Sequence, residues 1–117
     1  MPEDWTHQDL PIYLGKINKI DIWIVDGEKV RDKYFMDFCY GGHDLVYGQG
    51  NTTYPEVGFI PPRQIWLDGH IDSDDLSFTL YHELIERNLM SVRKLSYEQA
   101  HQVANRAERQ LELQVRS

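Results

Sequence analysis

The chain has 117 residues, 12 basic and 19 acidic side chains, a formal charge of −7 and one cysteine. At this length one domain with one hydrophobic core is expected, because a second unit would bury too little of its own surface. The acidic balance argues against a nucleic-acid or membrane-surface partner, which would attract basic faces, and Cys39 alone closes no internal disulfide.

Met1-Pro2-Glu3-Asp4-Trp5 carries no apolar signal core, and no apolar run approaches the ~20 residues of a membrane span, so the expected compartment is the cytoplasm. All eight glycines and all five prolines lie in residues 1–69, which read as a β-rich part; residues 74–117 read as a two-helix part. In Ile20-Asp21-Ile22-Trp23-Ile24-Val25, three isoleucines alternate at the period of a strand. Asp26-Gly27 suits a hairpin turn, with a partner strand near Lys29 and more strand over 34–40, which would make Cys39 a core thiol. The Gly/Asn/Thr/Pro-rich stretch 41–62 reads as a long loop, and Gln64-Ile65-Trp66-Leu67-Asp68 as a short strand closed by Gly69. His7 and His70 fall in solvated turns.

A first helix is expected over 75–90, capped by Ser73, Asp74 or Asp75, with Phe78, Leu80, Tyr81, Leu84, Ile85 and Leu89 turned inward. Ser96-Tyr97-Glu98-Gln99 matches a capping box for a second helix over 97–115, whose apolar stripe is Ala100, Val103, Ala104, Ala107 and Leu111. The resulting fold class is α+β: a small, mostly antiparallel sheet packed against two C-terminal helices.

The chemistry concentrates in His82-Glu83-Leu84-Ile85-Glu86. His82 and Glu86, four apart, project from one helix face, so both reach one metal ion. Glu83 stands about 100° round the helix, which places its carboxylate beside a metal-activated water, as in the H-E-x-x-H signature of zinc proteases. A zinc site with an open position needs a third protein ligand. His101, on the neighbouring helix, is the best candidate, giving His82, Glu86 and His101 as ligands of Zn²⁺ or another divalent transition metal and Glu83 as the catalytic base. Asn105 and Glu108 share the His101 face and are candidates to orient an imidazole N–H. His43, beside Gly41 and Gly42, is a candidate for contact with substrate or a developing oxyanion, and Tyr97 for donating its hydroxyl to a tetrahedral intermediate. A histidine among Leu80, Tyr81, Leu84 and Ile85 is expected to be half buried and to need a partner.

The run from Tyr81 to Met90, the segment Leu95-Ser96-Tyr97-Glu98-Gln99-Ala100-His101, and Ala104, Asn105 and Glu108 beyond it resemble small prokaryotic and phage zincin-like metallopeptidases. The resemblance covers about residues 36–108, including Met36-Asp37-Phe38 and Gly41-Gly42-His43. It implies a minimal zincin-like domain that cleaves an extended peptide or protein substrate. The same ligands and base follow from it, and the 64–68 strand becomes the sheet edge bordering the cleft. Glu86 stands where the zinc proteases with two motif histidines carry the second one. Two alternatives remain at this level: a metal-binding module that does not cut, and a metal-free interaction domain using its acidic surface. Glu83 separates them, because a purely structural site has no use for a carboxylate beside the water position. The oligomeric state is not set by these residues.

Overall fold

Strand β2 (Ile20–Val25) carries its period-two pattern into the core: Ile20, Ile22 and Ile24 are buried on one face, while Trp23 and Val25 pack on the other. The computed structural model describes residues 10–50 and 58–116, so His7 lies outside them. Strand β1 (Ile12–Ile17) pairs antiparallel with β2 across a two-residue turn, where Asn18 and Lys19 have φ of 49° and 69°. Both angles suit the twist of a hairpin. The hairpin thus lies before β2 rather than after it.

Asp26-Gly27 does not turn the chain back. Asp26 instead caps helix α1 (Gly27–Lys33), accepting the Glu28 and Lys29 N–H groups at 3.1 and 3.3 Å. Gly27 serves close approach: a Cβ there would fall 2.2 Å from the Asp68 carboxylate. That carboxylate is buried and accepts the N–H groups of Gly27 and His70 and one Arg31 nitrogen. No partner strand starts near Lys29, none forms over 34–40, and Cys39 is exposed rather than a core thiol. His70 lies in a turn as expected, and its Nε2 is 2.8 Å from Asp26 Oδ1.

Burial works against ionisation of Asp26, but its hydrogen bonds from His70, Lys29 and Glu28 outweigh it and hold the carboxyl below the usual range. A depressed carboxyl contributes stability above its unfolded value of about 3.9, lost as pH falls through the lower folded value. Asp26→Asn keeps an N-cap acceptor but removes this charge. We expect its urea midpoint to fall less than that of the parent between pH 5 and pH 3. Asp26→Ala loses the cap as well, at a cost of about 1–2 kcal/mol in the same titration at pH 7.

Within the stretch read as a loop, β3 (Gly41–His43) and α2 (Asp44–Tyr47) form, and residues 51–57 lie outside the described residues. Strand β4 (Gln64–Asp68) forms where expected but in the interior of the sheet. It runs parallel to β2, pairing Asp21 with Gln64 through Val25 with Asp68, and antiparallel to β3, pairing Gly41 with Leu67. The described strands stand in the order β1-β2-β4-β3, so β3, not 64–68, is the edge on that side. Ile65 and Leu67 are buried as an interior strand requires.

One sheet face packs on helix α3 (Ser73–Val92) through Leu76, with Leu80 and Leu84 alongside. Asp72, rather than Ser73, Asp74 or Asp75, caps α3, which starts two residues before the expected position, and its side chain accepts Asp74 N–H. Tyr81, expected to face inward, is exposed. Helix α4 (Tyr97–Arg116) starts at the anticipated capping box: Ser96 Oγ accepts Gln99 N–H and Gln99 Oε1 accepts Ser96 N–H, both at 3.2 Å. α4 returns antiparallel to α3, as Glu86–His101 and Asp75–Arg116 contacts require, and Ala100 and Ala104 are fully buried where small side chains let the helices approach. The fold is therefore α+β, a mixed four-stranded sheet against two C-terminal helices. No described helix is long and apolar enough to cross a membrane.

Candidate metal centre

Besides the apolar Leu76 and Phe78, α3 buries four polar side chains, Thr79, His82, Glu83 and Glu86. The spacing of these four, 0, 3, 4 and 7, puts them on one stripe, which faces α4 and β3. Buried polar groups need partners, and three elements supply them. Glu86 Oε2 lies 3.1 Å from His82 Nε2 and 2.7 Å from His101 Nδ1, and those two nitrogens are 3.3 Å apart. On the far side of His82, Nδ1 is 3.0 Å from Glu108 Oε1. Glu86 Oε1, in turn, is 2.8 Å from His43 Nε2.

The donor set fits a transition-metal cation. In a tetrahedral zinc site with bonds of ~2.0–2.1 Å, ligand atoms sit about 3.3 Å apart. Two of the three separations match, and the 2.7 Å Glu86–His101 contact has only to open by about half an ångström. Proton accounting points the same way. If His82 donates Nδ1–H to Glu108, its neutral ring turns a lone pair on Nε2 toward the Glu86 carboxylate. Two acceptors face each other there unless a proton or a cation stands between them.

Charge is crowded in this cluster. Burial and the neighbouring Glu86 charge push the Glu83 carboxyl up to about 8, with His82 opposing. Burial also opposes ionisation of Glu86, but hydrogen bonds from His43, His82 and His101 hold it well below the carboxylate range. For His82, burial disfavours the charge, yet Glu86, Glu83 and Glu108 together raise its pKa. Burial and the hydrogen bond with Glu112 raise Glu108, against His82. A buried site with this many carboxylates is electrostatically suited to a cation.

Each residue singled out in the sequence can now be placed. His82, Glu86 and His101 converge, and Glu83 lies beside them, its Oε2 3.9 Å from His82 Nε2 and outside hydrogen-bond range. Glu108 takes the imidazole-orienting position. Asn105 lines the same cleft but is exposed, and among the described residues it bonds to neither imidazole. Tyr97 lines the cleft with its ring 5.3 Å from that of His101. His43 faces neither substrate nor oxyanion: it is completely buried behind Glu86, outside the cleft. The expected border strand also changes, since Gly41 of β3 lines the cleft and no residue of β4 does. His82 is more deeply buried than expected, at 6 % exposure.

The cleft has a volume of about 460 Å³ and is walled by Phe35, Tyr40, Tyr47 and Tyr97 around the carboxylates. Thr79 was missed, although its i, i−3 spacing from His82 was readable. The bidentate Asp44–Arg87 pair, at 2.7 and 3.1 Å, had no local signal. Among the described residues two further groups of side chains could hold a metal: Asp26, Glu28 and His70 at the start of α1, where Asp26 is engaged as the cap, and the buried His43, Glu83 and Glu86, which share Glu86 with the trio. Comparison with protein-family models, curated proteins and solved structures gave no match to this chain.

Proposed function

We propose that the protein is a zinc-dependent, zincin-like hydrolase of peptide or amide bonds. The observation that carries this reading is the convergence of His82 Nε2, Glu86 Oε2 and His101 Nδ1 beside a buried, cleft-facing Glu83. His82, Glu86 and His101 would hold Zn²⁺ or a similar divalent ion, leaving a coordination position toward the cleft. Bound there, the ion would supply Lewis acidity, polarising a carbonyl and making water easier to deprotonate.

The chain's residues supply the rest. Glu83 takes a proton from the attacking water and delivers it to the leaving nitrogen, so that water and an amide become a carboxylic acid and an amine. Near a dication, the burial and the Glu86 charge that raise its pKa would be opposed by the attraction of the cation, which favours the carboxylate form needed for a base. Glu108 holds His82 by Nδ1, which keeps Nε2 directed at the ligand trio. Edge strand β3 borders the cleft and leaves an unpaired edge among the described strands, a surface on which an extended peptide can align. The resemblance to small prokaryotic and phage metallopeptidases supports the same reading.

Stability measures metal binding without any assumption about substrate. Zn²⁺ at 100 times its Kd is expected to stabilise the protein by about 2.7 kcal/mol, which for a domain of this size raises Tm by roughly 10 °C. Calorimetry with and without Zn²⁺ checks this, with His82→Ala as comparison. No shift in the parent, or an equal shift in His82→Ala, would overturn the assignment.

A further inference from the structure

Two consecutive residues at the β3–α2 corner grip two consecutive residues of α3. His43 Nε2 meets Glu86 Oε1 at 2.8 Å, and the Asp44 carboxylate accepts two bonds from Arg87. Asp44 is itself fixed by Arg63 N–H at 2.8 Å. His43 has no exposed surface, and its Nδ1 accepts Leu45 N–H at 3.3 Å. A ring nitrogen that accepts carries no proton, so the neutral imidazole bears its hydrogen on Nε2 and donates it to Glu86 Oε1. One oxygen of Glu86 is thereby occupied, and only Oε2 is turned toward His82 and His101.

We propose that His43 is a positioning residue that makes Glu86 a one-oxygen metal ligand, an inference that rests on the metal reading above. His43 does not line the cleft, and its side-chain partner among the described residues is Glu86. An unrestrained glutamate can bring both oxygens to a cation, which would fill the coordination position that a hydrolase must leave open. The Asp44–Arg87 pair sets the seat of α3 against the sheet edge, and His43 sets the rotation of the carboxylate.

The test uses the full chain, loaded with Co²⁺ for its visible spectrum and titrated with Zn²⁺ against a chromophoric chelator. The parent should show the strong bands of four-coordinate cobalt. His43→Leu should bind Zn²⁺ about 10- to 100-fold more weakly and shift the cobalt spectrum toward the weaker bands of higher coordination. His43→Gln, whose amide nitrogen reaches the position of Nε2, should recover most of both. Equal affinity and an unchanged spectrum in His43→Leu would overturn the positioning role while leaving the metal site intact. A parent that binds neither ion would overturn the metal reading itself. Should His43→Leu not fold, His43→Asn replaces it, since its shorter amide cannot reach Glu86. Asn and Gln variants that behave alike would then refute the proposal.

Discussion

Glu83→Gln is expected to lower peptide hydrolysis by about 10²- to 10⁴-fold, the usual contribution of a positioned general base, while Zn²⁺ affinity stays within a few-fold of the parent. Glutamine keeps the shape of glutamate but cannot take a proton from water. Glu83 is not a member of the His82, Glu86 and His101 trio, and its carboxylate stands 3.9 Å from His82 Nε2. The fold should tolerate the change and gain from it, because a buried carboxylate beside Glu86 is replaced by a neutral group. The assay is a mixed library of quenched-fluorescent peptides, run with Zn²⁺ on both proteins. Equal rates would remove Glu83 from the mechanism. If both bind Zn²⁺ and neither cleaves any peptide, the site belongs to a metal-binding module that does not cut.

The second large effect is expected from His101→Ala. The His101 side chain is 41 % exposed and its loss leaves the α3–sheet core untouched, so the variant should fold. It removes one of three ligands, and Zn²⁺ affinity should fall by more than about 100-fold, beyond the range typical of outer partners. Glu108→Ala, which frees His82 Nδ1 without removing one of the three ligands, should lie inside that range, at about 10- to 100-fold. Competition titrations on the two variants rank them. A Glu108→Ala loss as large as that of His101→Ala would exchange the roles assigned to the two residues, and an unchanged His101→Ala would exclude it as a ligand.

The parts of the fold that local pattern controls were readable. The isoleucine alternation of β2, the reciprocal Ser96/Gln99 cap and the glycine-free sequences of α3 and α4 each encode their element within a few residues. The convergence of His82, Glu86 and His101 was readable for the same reason: two are one helical turn apart, and the third follows a short connection. What failed depends on distant contacts. Asp26-Gly27 suits a hairpin and a helix start equally, and the choice is made by Asp68, forty-one residues away, packed against Gly27. Strand β1 leaves Tyr13, Leu14 and Ile17 exposed and has no alternation to read. The edge position passed from β4 to β3 because a three-residue Gly-Gly-His strand has almost no propensity of its own. His43 was placed near substrate because a histidine beside glycines reads as a loop residue; its real partner is forty-three residues on.

α4 is joined to the rest by apolar and polar contacts together. Its fully buried side chains are two alanines, Ala100 and Ala104, and at the cleft it places the Tyr97 ring beside the polar His101 and Glu108. Tyr97 packs against the Val46, Tyr47 and Ile60 cluster and Val103 and Leu111 are half-buried, so the polar contacts of His101 and Glu108 add to an apolar seam. For the proposed metal centre, this makes loading and docking one linked equilibrium. A cation that engages His101 would raise the free energy of local opening of the C-terminal helix. Amide exchange along α4 would then report occupancy of the site, and residues 97–116 would be the part of the chain through which metal supply sets the protein's susceptibility to proteolysis.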